Sequence, residues 1–80
     1  MRLDKFLKVS RLIKRRTIAN EACDAKKIYV NGKPARASYD VKIGDKIEIH
    51  MGTIPVRVEV VKINEHPTKD NAAENYQMLS

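Results

Sequence analysis

The sequence predicts a small α+β domain in which two helices precede a short antiparallel β-meander. Three observations predict this fold class. Apolar residues recur at helical spacing over roughly the first 25 residues, and they alternate with polar residues between about residues 46 and 60. Turn-forming pairs, Asn31-Gly32 and Gly44-Asp45, separate the short segments that follow the helices. A chain of 80 residues forms one domain with a thin core.

The first helix is predicted over residues 3–11. At 100° per residue, Lys5 and Lys8 point away from the side that carries the apolar residues. That apolar side consists of Leu3, Phe6, Leu7 and Ile13. The predicted helix is therefore amphipathic, with its cations toward solvent.

A second helix is predicted to begin at Thr17, whose hydroxyl suits a helix cap. Lys26 and Lys27 are expected to close it, because cations suit the carbonyl end of the helix dipole. Its apolar face is predicted to contain Ile18, Ala22 and Ala25, widened by Ala19 and Cys23.

The following segments predict a half-buried antiparallel sheet. Residues 28–30 form a short strand that leads into Asn31-Gly32, the strongest short hairpin signal, and Pro34 limits the returning strand to a sheet edge. Residues 47–51 and 54–60 alternate between apolar and polar side chains on either side of Gly52-Thr53. We expect a domain over residues 1–64 and a polar tail over residues 65–80, with a helical turn near residues 72–76.

The net charge of +6 is concentrated at the start of the chain. The first 16 residues contain seven basic side chains and one acidic side chain, whereas the remaining 64 contain nine of each. Such a cationic cluster repels itself unless an anionic partner neutralises it, and nucleic acid is the first candidate. The predicted RNA-binding residues are Arg2, Lys5, Lys8, Arg11, Lys14, Arg15, Arg16 and Thr17.

Within this cluster, phosphate contacts are expected to converge just before Thr17, because the free N–H groups of a helix start add positive potential there. Arg15 and Arg16 can also offer planar, bidentate hydrogen bonds. Asp4 has two candidate supporting roles: it can favour the start of the first helix, or pair with an arginine and orient it.

The sequence contains no pattern typical of an enzyme. Cys23, His50 and His66 lack close metal-ligand spacing, and Cys23 lies on the apolar side of the second helix. Each glycine marks a turn, and no glycine-rich phosphate loop occurs. We therefore expect a non-enzymatic protein without a metal or cofactor.

A single cysteine fits a reducing compartment, so a cytoplasmic location is expected. No apolar run approaches the ~20 residues of a membrane span. Residues 1–16 have the basic, amphipathic character of a transit peptide, but Asp4 lies early in them and their removal would leave only about 60 residues. A membrane-surface helix is a further alternative, opposed by the need of the small core for the same apolar residues.

Four stretches carry a family resemblance. They are Arg2-Leu3-Asp4-Lys5-Phe6-Leu7, Arg15-Arg16-Thr17, Ile28-Tyr29-Val30-Asn31-Gly32-Lys33 and Asp40-Val41-Lys42-Ile43-Gly44-Asp45-Lys46-Ile47. Over roughly residues 1–62 the sequence resembles the S4 RNA-binding domain, in which two helices and a following strand-turn build a basic RNA-binding face. The continuous run of residues 1–17, together with residues 72–76, more narrowly resembles the RqcP (YabO) family of stand-alone S4-type proteins.

The resemblance implies a role in bacterial ribosome-associated quality control. It implies binding to large (50S) subunits that hold peptidyl-tRNA, contacts to 23S rRNA and the P-site tRNA, and cooperation with RqcH in C-terminal alanine tailing. Arg2 and Arg16 are the strongest implied contacts, with Asp4, Lys5, Lys14 and Arg15 beside them. A ribosome-associated monomer is expected.

Three alternatives remain open from the sequence. One is recycling of obstructed 50S subunits without tailing, as in heat-shock S4-type proteins. Another is a protein-interaction module whose basic helix docks an acidic partner. The third is a fragment of an RNA-modifying enzyme, although we expect these 80 residues to act without a catalytic domain.

Overall fold

The computed structural model describes residues 1–79 and confirms the predicted α+β class, with two helices followed by an antiparallel sheet. The sheet has five strands in the order β2-β1-β3-β4-β5, and all neighbouring strands are antiparallel. The helices are α1 (Leu3–Val9) and α2 (Arg16–Asp24), and a 3₁₀ helix spans Ala72–Asn75. The strands are β1 (Ile28–Val30), β2 (Lys33–Pro34), β3 (Lys46–Ile49), β4 (Val56–Val60) and β5 (Tyr76–Met78).

Helix α1 ends two residues before the predicted boundary, because Arg11 adopts a left-handed backbone conformation with φ 60°. The Arg11 N–H donates to the Lys8 carbonyl (3.0 Å), and the Leu12 N–H donates to the Leu7 carbonyl (3.1 Å). This pair of hydrogen bonds is a Schellman motif, which satisfies carbonyls at the helix end while turning the chain away.

Helix α2 begins one residue before the predicted start. Arg15 occupies the N-cap position, and no side chain caps the helix, so the prediction of Thr17 as the cap is wrong. The buried face is also rotated from the predicted one, because Ile18 and Ala25 are exposed. The buried residues of α2 are Ala19, Ala22 and Cys23.

The β1–β2 hairpin forms as predicted, with Val30 paired to Lys33 across Asn31-Gly32. Asn31 and Gly32 have φ values of 53° and 85°, which is the geometry of a type I′ turn. Pro34 lies in edge strand β2, where a missing N–H costs no sheet hydrogen bond.

The last strand, β5, was not predicted. It pairs with β4 so that Val58 lies opposite Met78 and Val60 opposite Tyr76. The 3₁₀ helix before it matches the helical turn predicted near residues 72–76. Part of the segment expected as a polar tail is therefore incorporated in the sheet.

The core lies where the two helices pack on one face of the sheet. Fully buried residues include Leu3, Phe6 and Leu7 of α1, together with alternate residues of the strands such as Ile47 and Val58. At the β3–β4 turn, the two strands are shorter than the alternating pattern predicts. Met51 and Ile54 lie outside the strands and are exposed. Across residues 1–79, no helix has the length and apolarity needed to cross a membrane.

Candidate RNA-binding site

Two arginines that are distant in sequence share the carboxylate of Asp4, a buried residue in the first turn of α1. Arg2 Nε donates to Asp4 Oδ1 at 3.2 Å, and Arg16 Nη2 donates to the same oxygen at 3.4 Å. Asn20 Nδ2 donates to Asp4 Oδ2 at 3.3 Å, and the Lys5 N–H donates to Oδ1 at 2.8 Å. Arg2, Asp4, Arg16 and Asn20 are named the Asp4 cluster below.

The surroundings keep Asp4 ionised. Burial by itself would raise the pKa of this carboxyl, but hydrogen bonds from Arg2, Arg16 and Asn20 outweigh burial and hold the pKa below its ordinary value. The side chains of Arg2 and Arg16 remain 51% and 47% exposed. Each guanidinium therefore has donors left to bind an external anion while the buried carboxylate orients it.

Backbone hydrogen bonds hold the start of α1 against the chain between β2 and β3. The Leu3 N–H donates to the Tyr39 carbonyl (2.8 Å), and the Asp4 N–H donates to the Ala37 carbonyl (3.2 Å). A β-bridge between Arg2 and residue 40 extends this contact. Arg2 and the first residues of α1 are thus attached to the chain between β2 and β3.

A second buried carboxylate, Asp45, anchors that connecting chain to the hairpin. It accepts hydrogen bonds from the Tyr39 hydroxyl (2.9 Å), Asn31 Nδ2 (3.1 Å) and the Lys42 N–H (2.9 Å). Burial opposes ionisation, but these donors outweigh it and lower the pKa of Asp45. Asp45 thereby joins the hairpin to the segment that holds Arg2.

The remaining predicted site residues have three kinds of surroundings. Lys5 lies 3.4 Å from Glu65 of the C-terminal segment, so this cation is partly neutralised within the protein. Thr17 lines an open hollow beside Asp4 and Arg16. The others are exposed on α1 or in the connection to α2, without a carboxylate within 4.0 Å among residues 1–79: Lys8, Arg11, Lys14 and Arg15.

Asn20 was not predicted as a site residue. In the structure, its side-chain amide donates to Asp4 Oδ2. Its spacing of four residues from Arg16 is a signal that could have found it, because residues i and i+4 share one helix face.

Nucleophilic and metal-binding chemistry find little support among residues 1–79. Burial raises the pKa of the Cys23 thiol to about 11, so this side chain carries little thiolate at neutral pH. Among residues 1–79, no three His, Cys, Asp or Glu side chains come together as candidate metal ligands. The arrangement of half-exposed arginines suits anion binding.

Comparisons with known proteins identify the family of the chain. The S4 domain family model matches residues 1–47. The chain is 51% identical over 79 residues to the RQC P-site tRNA stabilizing factor of Bacillus subtilis, covering 99% of this chain and 92% of that protein. It is 46% identical over 80 residues to the protein of the same name from Streptococcus pneumoniae, covering 100% of this chain and 91% of the relative.

A solved structure supports the fold over the whole described chain. Heat Shock Protein 15 of Vibrio cholerae, described as trimeric, superposes with a TM-score of 0.92 at 28% sequence identity. The comparison covers 100% of this chain and 82% of that protein. The chain therefore belongs to the S4 domain family and, within it, to the family of RQC P-site tRNA stabilizing factors.

Proposed function

We propose that this protein is an RNA-binding factor of ribosome-associated quality control that stabilises P-site tRNA. The names of full-length relatives support this function. The structural observation that supports it is the Asp4 cluster, in which one buried carboxylate orients two half-exposed arginines. Arginine guanidinium groups held in this way bind phosphate with little further loss of conformational entropy.

The proposed ligands are 23S rRNA of the large (50S) subunit and the peptidyl-tRNA that it carries. Arg2 and Arg16 make the central phosphate contacts, and the exposed cations near the α1–α2 connection extend them: Lys8, Arg11, Lys14 and Arg15. Lys5 and Thr17 lie beside this surface and complete the proposed site. Folded RNA suits the site better than single strands, because aromatic residues for base stacking are scarce.

The protein is proposed to be a cytoplasmic, ribosome-associated monomer without catalytic activity. It holds the tRNA in place while RqcH directs C-terminal alanine tailing. The exposed cations support attraction to RNA, and the weakly acidic, buried Cys23 thiol offers no nucleophile to support an enzymatic role.

Salt dependence tests the electrostatic contribution of Arg16. About five phosphate contacts predict a log–log slope of roughly −3.5 to −4.5 for binding to large subunits that carry peptidyl-tRNA. Arg16→Ala should weaken binding and make the slope shallower by about 0.7–0.9. Lys62→Ala is the matched control, because Lys62 is exposed and faces Glu74 outside the proposed site. Equal weakening by both variants, or a wild-type slope near zero, would contradict the site.

A second candidate function is recycling of obstructed 50S subunits without tailing. The likeness to Heat Shock Protein 15 favours it. Purification of a tagged protein from its native cells distinguishes the two. Large subunits with peptidyl-tRNA and RqcH support the tailing role, whereas such subunits without RqcH support recycling. Recovery of an acidic protein without RNA would instead support a protein-interaction module.

A further inference from the structure

An acidic side chain of the C-terminal segment lies against the cationic face of α1. Glu65 Oε1 accepts a hydrogen bond from Lys5 Nζ at 3.4 Å, although the two residues are 60 positions apart in the chain. Glu65 also lines a hollow with two exposed cations, Lys8 in α1 and Arg11 just after it. This carboxylate is therefore placed among three of the predicted RNA-binding residues.

Hydrogen bonds to Asn64 fix the backbone next to Glu65. The Asn64 carbonyl accepts from Asn75 Nδ2 (3.2 Å), and the same amide donates to Ser10 Oγ at the end of α1 (3.1 Å). Asn64 Oδ1 accepts from the His66 N–H at 3.1 Å, which closes a turn around Glu65. Asn75 and Ser10 are both fully buried. The fold itself therefore holds Glu65 beside α1, independently of the ion pair with Lys5.

The ion pair contributes little to the stability of the fold. The side chains of Lys5 and Glu65 are 32% and 55% exposed. Water and salt screen an ion pair at such a position, so its net contribution to stability is small. The pair does, however, cancel one positive charge of the proposed RNA-binding surface. A phosphate that approaches Lys5 has to displace the Glu65 carboxylate and is repelled by it.

The cost of this competition depends on the kind of RNA. A flexible single strand adjusts its backbone to the free cations of a surface, so its affinity falls with each cation that is neutralised. Folded RNA presents its phosphates at fixed positions and is recognised largely by shape. Arg2 and Arg16, the central contacts of the proposed site, pair with Asp4 and not with Glu65. Binding of folded RNA through these arginines is therefore less sensitive to the charge of Glu65.

We propose that Glu65 is a specificity-determining residue: an internal counter-ion that weakens binding of non-specific single-stranded RNA more than binding of the large subunit. It acts chiefly by neutralising Lys5. The inference rests on the proposed RNA-binding function and adds to its site a residue that opposes binding at one edge.

Glu65→Gln removes the charge at nearly constant volume. At about 50 mM salt, the affinity for poly(U) should rise about three- to tenfold, and the log–log salt slope should steepen by about 0.7, the value for one further phosphate contact. The affinity for large subunits that carry P-site peptidyl-tRNA should rise by less than about twofold. The melting temperature should change by less than about 2 °C, because the ion pair is exposed.

Glu74→Gln is the matched control. It changes the net charge equally, and the contact of Glu74 with Lys62 lies outside the proposed site. A double-mutant cycle tests the route through Lys5: in a Lys5→Gln background, Glu65→Gln should lose most of its effect on poly(U) binding. An undiminished effect in that background would contradict the proposal.

Two further results would overturn the specificity role. One is an equal gain in poly(U) affinity for Glu65→Gln and Glu74→Gln. The other is an equal gain for Glu65→Gln on poly(U) and on large subunits. In either case, impaired binding of Arg16→Ala to large subunits leaves the proposed function standing. If Arg16→Ala binds large subunits normally, the underlying RNA-binding site is wrong as well.

Discussion

Asp4 is a charged side chain among core residues, and its position is stable because polar donors surround it. An isolated buried carboxylate would be strongly unfavourable. Here the compensating donors include two guanidinium groups whose other edges face solvent. The requirement to satisfy Asp4 therefore also orients Arg2 and Arg16, and few side-chain rotations remain to be lost when RNA binds.

Replacement of Asp4 by asparagine tests this coupling at nearly constant volume. Asp4→Asn removes the charge shared by Arg2 and Arg16, so we expect a loss of about 1–3 kcal/mol in the free energy of unfolding. Affinity for large subunits should fall although the net positive charge increases. Thermal melts and binding titrations measure the two effects. Asp70→Asn is the exposed control with the same change in charge, and equal behaviour of the two variants would contradict the positioning role.

At the scale of elements, Asn75 attaches the C-terminal segment to α1. This fully buried residue donates from Nδ2 to Ser10 Oγ (3.1 Å) and to the Asn64 carbonyl (3.2 Å). The main-chain carbonyl of Asn75 accepts a hydrogen bond from the Val61 N–H at 3.0 Å. Because Ser10 caps the end of α1, the segment after β4 braces the helix that carries Asp4.

Removal of the Asn75 amide should weaken this attachment. Asn75→Ala leaves Ser10 Oγ without its donor, and we expect a loss of about 1–3 kcal/mol in stability. At roughly 4–8 °C per kcal/mol, the melting temperature falls clearly. Glu74→Ala is the neighbouring control, since Glu74 is exposed and its contact with Lys62 is 4.0 Å long. Similar melting temperatures for both variants would show that the amide contributes little.

At the scale of the whole molecule, several acidic residues outside the Asp4 cluster have partners that are not in the proposed site. Asp40 lies near Lys42, and Glu48 lies 3.9 Å from Arg57. Within residues 1–79, exposed cations without a carboxylate oxygen within 4.0 Å lie near the α1–α2 connection and also near the β1–β2 hairpin, where they are Lys26 and Arg36. The net charge of +6 therefore favours RNA over a larger surface than the first 16 residues alone suggest.

Acid should destabilise the fold through Asp4 and Asp45 together. Their pKa values lie below the ordinary 3.8 in the folded protein, so the unfolded chain binds protons first as the pH falls. Their stabilising contribution is complete above the unfolded pKa and is lost as the pH falls through the folded values. Melting temperatures between pH 7 and pH 2 measure the effect. Asp4→Asn combined with Asp45→Asn should flatten the acid decline, and an unchanged decline would contradict this origin.

Local sequence patterns were sufficient for much of the fold. Helical and alternating periodicities identified both helices and the central strands, and Asn31-Gly32 identified the hairpin. Helix ends were less predictable, because Arg11 and Lys26 form left-handed caps where glycine is the usual signal. Strand β5 is short and has no marked alternation, so only its pairing with β4 reveals it.

The sequence by itself determined the order of the principal elements and the cationic character of the first 16 residues, because both are carried by neighbouring side chains. It also indicated that Asp4 could orient an arginine. Only the tertiary structure decided that Arg2 and Arg16 share this carboxylate and that Asn20 joins them. These contacts join residues far apart in the chain, and packing and backbone pairing bring them together where periodicity carries no information.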